Sequence, residues 1–426
     1  MGYVFSNIGA GLTTPLIPLF VVLYLKSNVV LVGIVSSVSS AASVPALIFW
    51  GNISDRIKKR KIFILIGFFG SFASLMLVLT VHNITSYLIM LIAFQIIAMA
   101  SVPVSTLLIL ENSSRDLWPS IMGKFNSYNA IGTVAGIGSG IAFLTLYSYK
   151  GSAVLPYVYI ISAMVYLAAG ISSIFTLKEP QIIIKRNRLN WIYTVRLFER
   201  LRFFPTHIIH TGINSNGHKI SMDLKRYLVV TFILMAAFQI FFVPYPVFVL
   251  KRFSATDNEI YIMYLLNSLM SAITFFPAGK YIKYIGSNRM LIYSVSLRAV
   301  IFTVMGILTI SASGLYYFIL FILVYGMLGG IWSFISISEI TSISNMADKN
   351  TRGKVIGYYN SLNGAGQIFG SLLSGFIAYD ISYLFDFILS SLIIVSMIVY
   401  IIKMNPPDIS VKIRPSRVSQ KGEKDS

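Results

Sequence analysis

The sequence predicts an all-α integral membrane protein whose twelve transmembrane helices form two six-helix, pseudo-repeated halves. Three observations predict this class: a strongly apolar composition, twelve stretches long enough to cross a bilayer, and an internal repeat. The 426 residues are 56% hydrophobic and 12% charged, with a mean hydropathy of +0.77. A soluble chain carries about 25% charged residues. The composition therefore excludes a soluble enzyme, a disordered scaffold and a nucleic-acid module.

The predicted spans follow one another with short connections, except for the segment 178–226. A membrane helix needs about 20 mostly apolar residues. The stretches that meet this length are 3–25, 30–50, 62–81, 85–110, 124–148, 152–177, 227–250, 259–279, 290–312, 315–338, 355–378 and 383–402. The first stretch is too long for a signal peptide and lacks a basic leader, so we interpret it as the first span.

The basic residues predict the orientation. With the N-terminus inside, 29 of the 34 lysine and arginine residues fall in inner loops and the C-terminal tail. Cytoplasmic loops are enriched in these residues. We therefore expect a multi-pass protein of the cell membrane with both termini in the cytoplasm. The net charge of +19 then reflects the basic residues of the cytoplasmic loops, which are attracted to anionic lipid headgroups. We therefore predict no nucleic-acid partner.

The two halves repeat with an offset of 228 residues, which becomes 234 after an insertion. Pro18 returns as Pro246 and Glu111 as Glu339; the later matches are Gly123 with Gly357, Asn126 with Asn360, Asn129 with Asn363, Gly132 with Gly366 and Gly136 with Gly370. Repeated halves are typical of secondary transporters. The predicted domains are helix bundles at 1–177 and 227–403, a cytoplasmic linker at 178–226 and a disordered tail at 404–426.

The linker carries a basic amphipathic pattern between 190 and 202. Trp191, Val195 and Phe198 share one helical face, and Arg196 and Arg200 lie opposite. This pattern favours a helix on the inner leaflet. A binding site for a cytosolic partner is the competing interpretation.

The segment from Gly51 to Lys61 reads Gly-Asn-Ile-Ser-Asp-Arg-Ile-Lys-Lys-Arg-Lys. It resembles the signature loop of the major facilitator superfamily, Gly-x-Leu-Ala-Asp-Arg-x-Gly-Arg-Arg/Lys, and lies between spans 2 and 3 as in that family. Lys58 stands where the family has glycine. The resemblance covers nearly the whole chain. It implies transport by alternating access around a midplane cavity built mainly from spans 1, 4, 7 and 10.

The resemblance also implies a gating latch on the cytoplasmic side. It places the Asp55 carboxylate against the N-terminus of span 11, where an anion is stabilised by about 0.3–2 kcal/mol. We expect Gly51 to allow close helix approach. The predicted latch residues are Gly51, Asp55, Arg56, Arg60, Arg352 and Gly353. The second-half copy has Lys283 in place of the aspartate, which predicts an asymmetric latch. The alternative is a basic loop that only sets topology.

Span 5 has a glycine pattern similar to the antiporter motif of the same family. The predicted helix-packing residues are Gly123, Gly132, Gly136 and Gly140, with Gly357, Gly366 and Gly370 at the same spacing in span 11. Gly11, Pro15 and Pro18 of span 1 resemble drug-exporting branches. Two interpretations remain open: efflux by antiport, and close helix packing alone.

Polar and aromatic residues inside spans are candidates for the substrate cavity, namely Gln95, Gln239, Tyr245, Asn267, Tyr325 and Trp332. As a set they suit an amphiphilic or aromatic solute. Polar stripes in the same spans, such as Ser271 and Thr274 of span 8, are further candidates. For each polar side chain alone, the alternative is an interhelical hydrogen bond.

Few ionisable residues lie inside the spans, and such residues are functional candidates by default. Glu111 and Glu339 end spans 4 and 10, where they either carry coupling protons or pair with Arg115 and Arg352. Arg298 lies near the middle of span 9. It either snorkels, pairs with a lipid or faces the interior.

The sequence contains no cysteine, and it has no phosphate-binding loop, no Ser/His/Asp arrangement and no metal-ligand spacing. We therefore expect no enzyme activity, no cofactor and no metal. The leading hypothesis is a monomeric secondary transporter that exports a small amphiphilic organic solute with a coupling proton or ion. The alternatives are an importer or facilitator of a sugar, organic acid or amino acid, and a transport-inactive sensor.

Overall fold

The computed structural model describes residues 2–57, 59–111, 118–177, 221–347 and 352–404; the side chains at 52, 55–56, 106–107, 109–111, 118–124, 126 and 352–354 are outside the description. The linker helix predicted at 190–202 and the tail also lie outside the described residues. Within this part the chain forms twelve helical spans. They are α1 (Gly2–Tyr24), α2 (Val29–Ile57), α3 (Arg60–Thr80), α4 (Ile84–Ala98 and Val102–Glu111), α5 (Trp118–Leu146), α6 (Leu155–Thr176), α7 (Met222–Phe242 and Tyr245–Phe253), α8 (Asp257–Ile285), α9 (Ser287–Ser311), α10 (Gly314–Met346), α11 (Arg352–Asp380) and α12 (Tyr383–Met404).

The predicted class is confirmed. Eleven helices in the described part of the chain are long and apolar enough to cross a membrane. The helix outside this group is α11, which carries Asn360, Asn363 and Gln367 in its middle. Two sides of the molecule can be distinguished. We call the side where α6 ends and α7 begins the linker side, and the opposite side the short-loop side.

Several helices begin and end where capping residues dictate. The Ser221 hydroxyl accepts a hydrogen bond from the Leu224 N–H, so α7 begins at Met222 rather than at 227 as hydropathy predicts. Thr256 and Glu259 form a capping box at the start of α8. Gly286 separates α8 from α9 with φ of 99°, a conformation that favours glycine.

Prolines interrupt α1 and α7 at related places. The helix in α1 is broken after Thr13, where Pro15 follows, and that in α7 is broken at Pro244. Proline removes a backbone donor and clashes with the preceding turn. The two halves therefore share a bent first helix.

The repeat extends to individual contacts. A Cβ built on Gly132 of α5 would lie 2.7 Å from the Val4 carbonyl oxygen of α1, and a Cβ on Gly366 of α11 would lie 2.5 Å from that of Phe232 of α7. Phe232 is the repeat partner of Val4. One turn further on, Gly136 faces the Ile8 carbonyl, and Gly370 faces that of the matching Ala236. Each half therefore packs its first helix against its fifth, backbone to backbone.

The halves meet along two helix pairs, α2 with α11 and α5 with α8. On the short-loop side the contact is close. A Cβ on Gly375 of α11 would lie 3.0 Å from the Val30 Cα of α2, and a Cβ on Gly364 would meet the Val44 side chain.

The same interface is less closely packed on the linker side. Gly357 lies 18 residues, or about five turns, from Gly375 and therefore on the same face of α11. No described atom lies within 4 Å of a Cβ built on Gly357. On α8, Gly279 stands in the same relation to the buried Tyr261 and also faces open space. Among the described residues, the interface is thus closely packed on the short-loop side and lacks close contacts at these two positions on the linker side.

Candidate functional site

The first half encloses a cavity of about 480 Å³ lined by neutral polar and aromatic side chains. Its amides come from Asn7 of α1, Gln95 of α4 and Asn129 of α5. Its rings include those of Phe94 and Tyr166. Among the residues that the structure describes, this lining contains no aspartate, glutamate, lysine, arginine or histidine side chain. The predicted cavity residue Gln95 thus lies in a pocket whose walls offer stacking surfaces and uncharged hydrogen-bonding groups.

The polar wall of this cavity is fixed by a break in α4. The chain leaves the helix at Met99 and resumes it at Val102. In the break, the Ser101 carbonyl accepts a hydrogen bond from the Tyr3 hydroxyl at 3.1 Å. The Tyr3 backbone carbonyl in turn accepts one from the Asn7 amide at 2.8 Å. The first bond joins α1 to α4 beside the cavity, and the second fixes the Asn7 amide within α1.

The second half encloses a smaller cavity of about 220 Å³. Three predicted residues line it, namely Gln239, Asn267 and Trp332, and Arg298 lines it too. The Asn267 amide nitrogen donates to the Tyr325 carbonyl at 2.7 Å, which orients the amide between α8 and α10. Unlike the first cavity, this one has a cationic side chain in its wall.

Arg298 faces the interior of the bundle. Its side chain is 1% exposed. Its guanidinium carbon lies 4.4 Å from the ring centroid of Phe238, 5.3 Å from that of Phe242 and 5.7 Å from that of Trp332. These distances are in the range of cation–π contacts. Of the three interpretations left open by the sequence, the structure therefore supports the interior one.

Two cavities among the described residues each lie within one half. The first lies among α1 and α3–α6, and the second among α7–α10. The single midplane cavity implied by the resemblance stays a prediction.

Two predicted cavity residues line neither of these cavities. Tyr245 is fully buried, and its hydroxyl donates to the Phe321 carbonyl at 2.7 Å. Its ring packs 5.2 Å from that of Tyr325, within an aromatic cluster that includes Phe387. Tyr325 is 4% exposed. Both residues therefore join α7, α10 and α12.

The polar stripe of α8 is used for helix pairing. The Thr274 hydroxyl donates to the Ser333 hydroxyl of α10 at 3.0 Å, and Ser333 donates to the Ser271 carbonyl at 3.0 Å. These residues therefore form interhelical hydrogen bonds, which is the alternative to cavity lining given for such polar side chains.

Glu339 is buried, with 2% of its surface exposed. Its carboxylate accepts a hydrogen bond from the Tyr359 hydroxyl of α11 at 2.8 Å. The side chain of its repeat partner Glu111, like those of Arg115 and Arg352, lies outside the described residues. The contact between Glu339 and Tyr359 links α10 to α11 near the linker side.

The structure describes part of the predicted latch. Arg60 is buried and donates to the Ser54 hydroxyl at 3.2 Å. The nearest described atom to a Cβ built on Gly51 is 3.9 Å away, on Pro103, so no described residue packs closely against Gly51. The close helix approach expected there stays a prediction. The side chains of Asp55, Arg56 and Arg352, and the surroundings of Gly353, lie outside the description.

The predicted glycines also differ in their contacts. Gly132, Gly136, Gly366 and Gly370 face the first helix of their own half, whereas Gly140 faces the Tyr261 ring across the interface between halves. Gly357 faces open space, and the surroundings of Gly123 are outside the described residues.

The sequence alone did not identify two residues of the larger cavity and one buried acid. Tyr3 and Asn7 lie in the first span and line that cavity, and their one sequence signal is that they are polar residues inside an apolar span. Asp386 of α12 is fully buried, and neither carboxylate oxygen has a hydrogen-bond partner among the described residues. A search of every span for acids would have found it.

Comparisons with known proteins decide the family. A sequence model described as Major Facilitator Superfamily matches residues 1–338 and 227–422. The chain belongs to the major facilitator superfamily. It is therefore a multi-pass membrane transporter and not an enzyme. Members of this superfamily bind small-molecule substrates, and many are coupled to protons. A comparison of the transporter with curated protein sequences gives no match.

Several solved structures share the transporter's fold at low sequence identity. The nucleoside transporter NupG is 15% identical with a TM-score of 0.71, over 95% of this chain and 98% of that one. A POT family transporter in complex with 5-aminolevulinic acid is 13% identical with a TM-score of 0.73, over 95% of each chain. The human organic anion transporter MFSD10 is 16% identical with a TM-score of 0.63, over 94% of this chain and 97% of that one. The structural similarity shows that these proteins share the fold. Sequence identities this low give no information about the substrate of this transporter.

Proposed function

We propose that this transporter exports a small amphiphilic organic solute across the cell membrane by alternating access. In this proposal the linker side faces the cytoplasm, together with both termini. The excess of lysine and arginine on the linker side supports that orientation.

The chemistry of the larger cavity carries the proposal. Its wall combines aromatic rings with amides and hydroxyls, and its described residues include no carboxylate, ammonium, guanidinium or imidazole group. Ligand sites of this kind bury an apolar body and orient it with a few polar groups. An amphiphilic solute with an aromatic body and several hydrogen-bonding groups fits such a wall.

The packing of the interface matches one state of an alternating-access cycle, a state through which exporters and importers both pass. No described atom lies close to a Cβ built on Gly279 or Gly357 on the linker side, whereas Gly375 and Tyr261 are packed on the short-loop side. With the linker side in the cytoplasm, this conformation receives solute from inside the cell. The opposite conformation requires the short-loop contacts to separate and the linker side to close, with the latch around Asp55 as the closing element.

Export, uptake and signalling give different results in one assay. Cells that express the transporter are loaded with a fluorescent aromatic amphiphile, and retention of the dye is followed with and without an energised membrane. Export predicts faster, saturable loss of dye than in cells without the transporter. Uptake predicts higher accumulation, and a transport-inactive sensor leaves retention unchanged; either result would contradict the proposal.

A cavity variant with a matched control connects the assay to the site. Gln95→Leu removes an amide from the larger cavity. Gln420→Leu makes the same chemical change in the C-terminal tail. We expect the first variant to weaken dye export severalfold and the second to leave it unchanged. Equal export by both variants would show that the solute does not use this cavity.

A further inference from the structure

The guanidinium of Arg298 is a buried cation with unused hydrogen-bond donors. Its Nη2 donates to the Leu328 carbonyl at 3.0 Å. Its Nε and Nη1 have no hydrogen-bond partner among the described residues. A buried charge whose donors are unpaired is costly, so such groups are normally paired.

No described acid forms a salt bridge or a hydrogen bond with Arg298, and Glu339 interacts with it only through longer-range electrostatic attraction. The one ion pair that the structure describes joins Arg226 and Asp223 at the linker end of α7, away from the cavity. The described part of the second half has two buried acids, Glu339 and Asp386. Glu339 accepts from Tyr359, and the oxygens of Asp386 have no hydrogen-bond partner, so neither acid bonds to Arg298.

Aromatic side chains cover the guanidinium on the side of the smaller cavity. Phe238, Phe242 and Trp332 surround it and also belong to the cavity wall. Phe242 and Trp332 are half-buried, whereas Phe238 is buried. An anion in this cavity therefore reaches the unused donors when one of the two half-buried rings turns aside.

We propose that the cavity of the second half binds the carboxylate of an aromatic organic acid, with Arg298 as the anion-binding residue. A guanidinium donates strong, charge-assisted hydrogen bonds to carboxylate oxygens, and the unused Nε or Nη1 supplies such a donor here. The surrounding rings provide stacking surface for the aromatic body. The inference goes beyond the proposed function, which is argued from the larger cavity, because it assigns the smaller cavity an acidic ligand of its own.

The size of the cavity limits this class further. Its volume of about 220 Å³ is below that of typical sites for drug-sized ligands, which start near about 300 Å³. An acid with a single ring and a short side chain therefore suits it. Phenylacetate is a probe of this kind, phenylacetamide is its neutral counterpart, and acetate carries the charge without the ring.

Binding of the three probes to the purified full-length transporter tests the inference. Thermal stabilisation gives the affinity, and the fluorescence of Trp332, assigned with Trp332→Phe, reports the site. We expect phenylacetate to bind at least about tenfold more tightly than phenylacetamide, a difference of about 1.4 kcal/mol. We expect acetate to bind more weakly than phenylacetate.

Charge variants assign the preference to one residue. Arg298→Gln is expected to reduce the ratio of acid to amide affinity to near one, and Arg298→Lys to retain part of it. Arg226→Gln makes the same change on the surface and is expected to keep the full ratio. If Arg298→Gln does not fold, the inference is tested by the ratios of acid to amide affinity in the wild type and in Arg298→Lys.

Equal affinity of the wild type for acid and amide, or no response to phenylacetate at roughly 10 mM, where even a millimolar ligand occupies most sites, would overturn the inference. An acid preference retained by Arg298→Gln would overturn it as well. These outcomes are distinct from failure of the proposed function. Acid binding without flux contradicts transport alone, and export of neutral amphiphiles without acid preference contradicts only the role of Arg298.

Discussion

The hydroxyl of Tyr261 in α8 donates a hydrogen bond of 2.7 Å to the backbone carbonyl of Leu12 in α1, and so joins the two halves of the transporter. Both residues are buried. The Tyr261 ring also packs against Gly140 of α5, where a side chain would collide with it. This contact lies on the short-loop side, where the interface is closed. It must break when the transporter opens on that side.

Tyr261→Phe is therefore expected to shift the transporter toward the conformation that is open on the short-loop side. The substitution leaves the buried Leu12 carbonyl without its donor, which costs about 1–3 kcal/mol in the closed state only. Because the chain has no cysteine, spin labels can be placed at Tyr149 and Leu315, which are exposed on the short-loop ends of the two halves. The distance between them should lengthen.

Tyr284→Phe is the matched control, since Tyr284 is an exposed tyrosine of the same helix. It should leave the distance distribution unchanged. An unchanged distribution in Tyr261→Phe would mean that this hydrogen bond does not favour the closed state.

Alanine substitutions test the backbone contacts within each half. A Cβ at Gly136 or Gly370 would collide with a carbonyl of the first helix of the same half, and overpacking costs about 1–3 kcal/mol. Gly138→Ala, at a site with no described atom within 4 Å, is the control and also corrects for the higher helix propensity of alanine. Gly136→Ala and Gly370→Ala should lower the Tm in detergent relative to Gly138→Ala. Equal Tm values for all three variants would refute the assigned packing.

The proposal that Glu339 carries a coupling proton predicts a separation of two activities. Glu339→Gln keeps the shape of the side chain and its hydrogen bond from Tyr359, but it has no proton to exchange. We expect it to lose transport driven by a pH gradient while keeping exchange of solute for solute in vesicles. Asp223→Asn, at an exposed acid, is the control and should keep both. If Glu339→Gln retains full pH-driven transport, Glu339 does not carry the coupling proton. Asp386 would then be the next buried acid to test.

The latch predicts an effect on the linker side. Asp55→Asn removes the anion expected to bind the N-terminus of α11 when that side closes, a contribution of about 0.3–2 kcal/mol. The population that is open on the linker side should rise, as measured by spin-label distances across that side. Asp380→Asn, at the exposed end of α11, should have no effect. If both variants match the wild type, the loop from Gly51 to Lys61 sets topology only.

Hydropathy and the repeat were sufficient to predict the twelve helices and the two halves. Length and apolar character alone determine which segments can cross a bilayer. Helix ends were less predictable, because α7 begins where Ser221 caps it, among charged residues that hydropathy counts against a span.

The sites were only partly predictable, because spacing identifies a helix face and not its neighbour. Gly357 and Gly366 belong to the same sequence pattern, yet one faces open space and the other the backbone of α7. Tyr245 and Trp332 were equally plausible cavity residues, but helix packing buries the first in an aromatic cluster and leaves the second in a cavity wall. The location of Arg298 likewise depended on the rotation of α9, which the sequence alone does not determine.

Counterflow in proteoliposomes tests the central claim most directly, because it requires alternating access and no coupling ion. Ligands are first chosen by thermal shift from lipophilic cations, aromatic acids, sugars, amino acids and nucleosides. Vesicles are then loaded with excess unlabelled ligand, and uptake of the labelled form is followed. We predict that an aromatic or amphiphilic ligand stabilises the transporter and gives a transient, saturable overshoot. Stabilisation confined to sugars or amino acids, or binding without an overshoot, would contradict the claim.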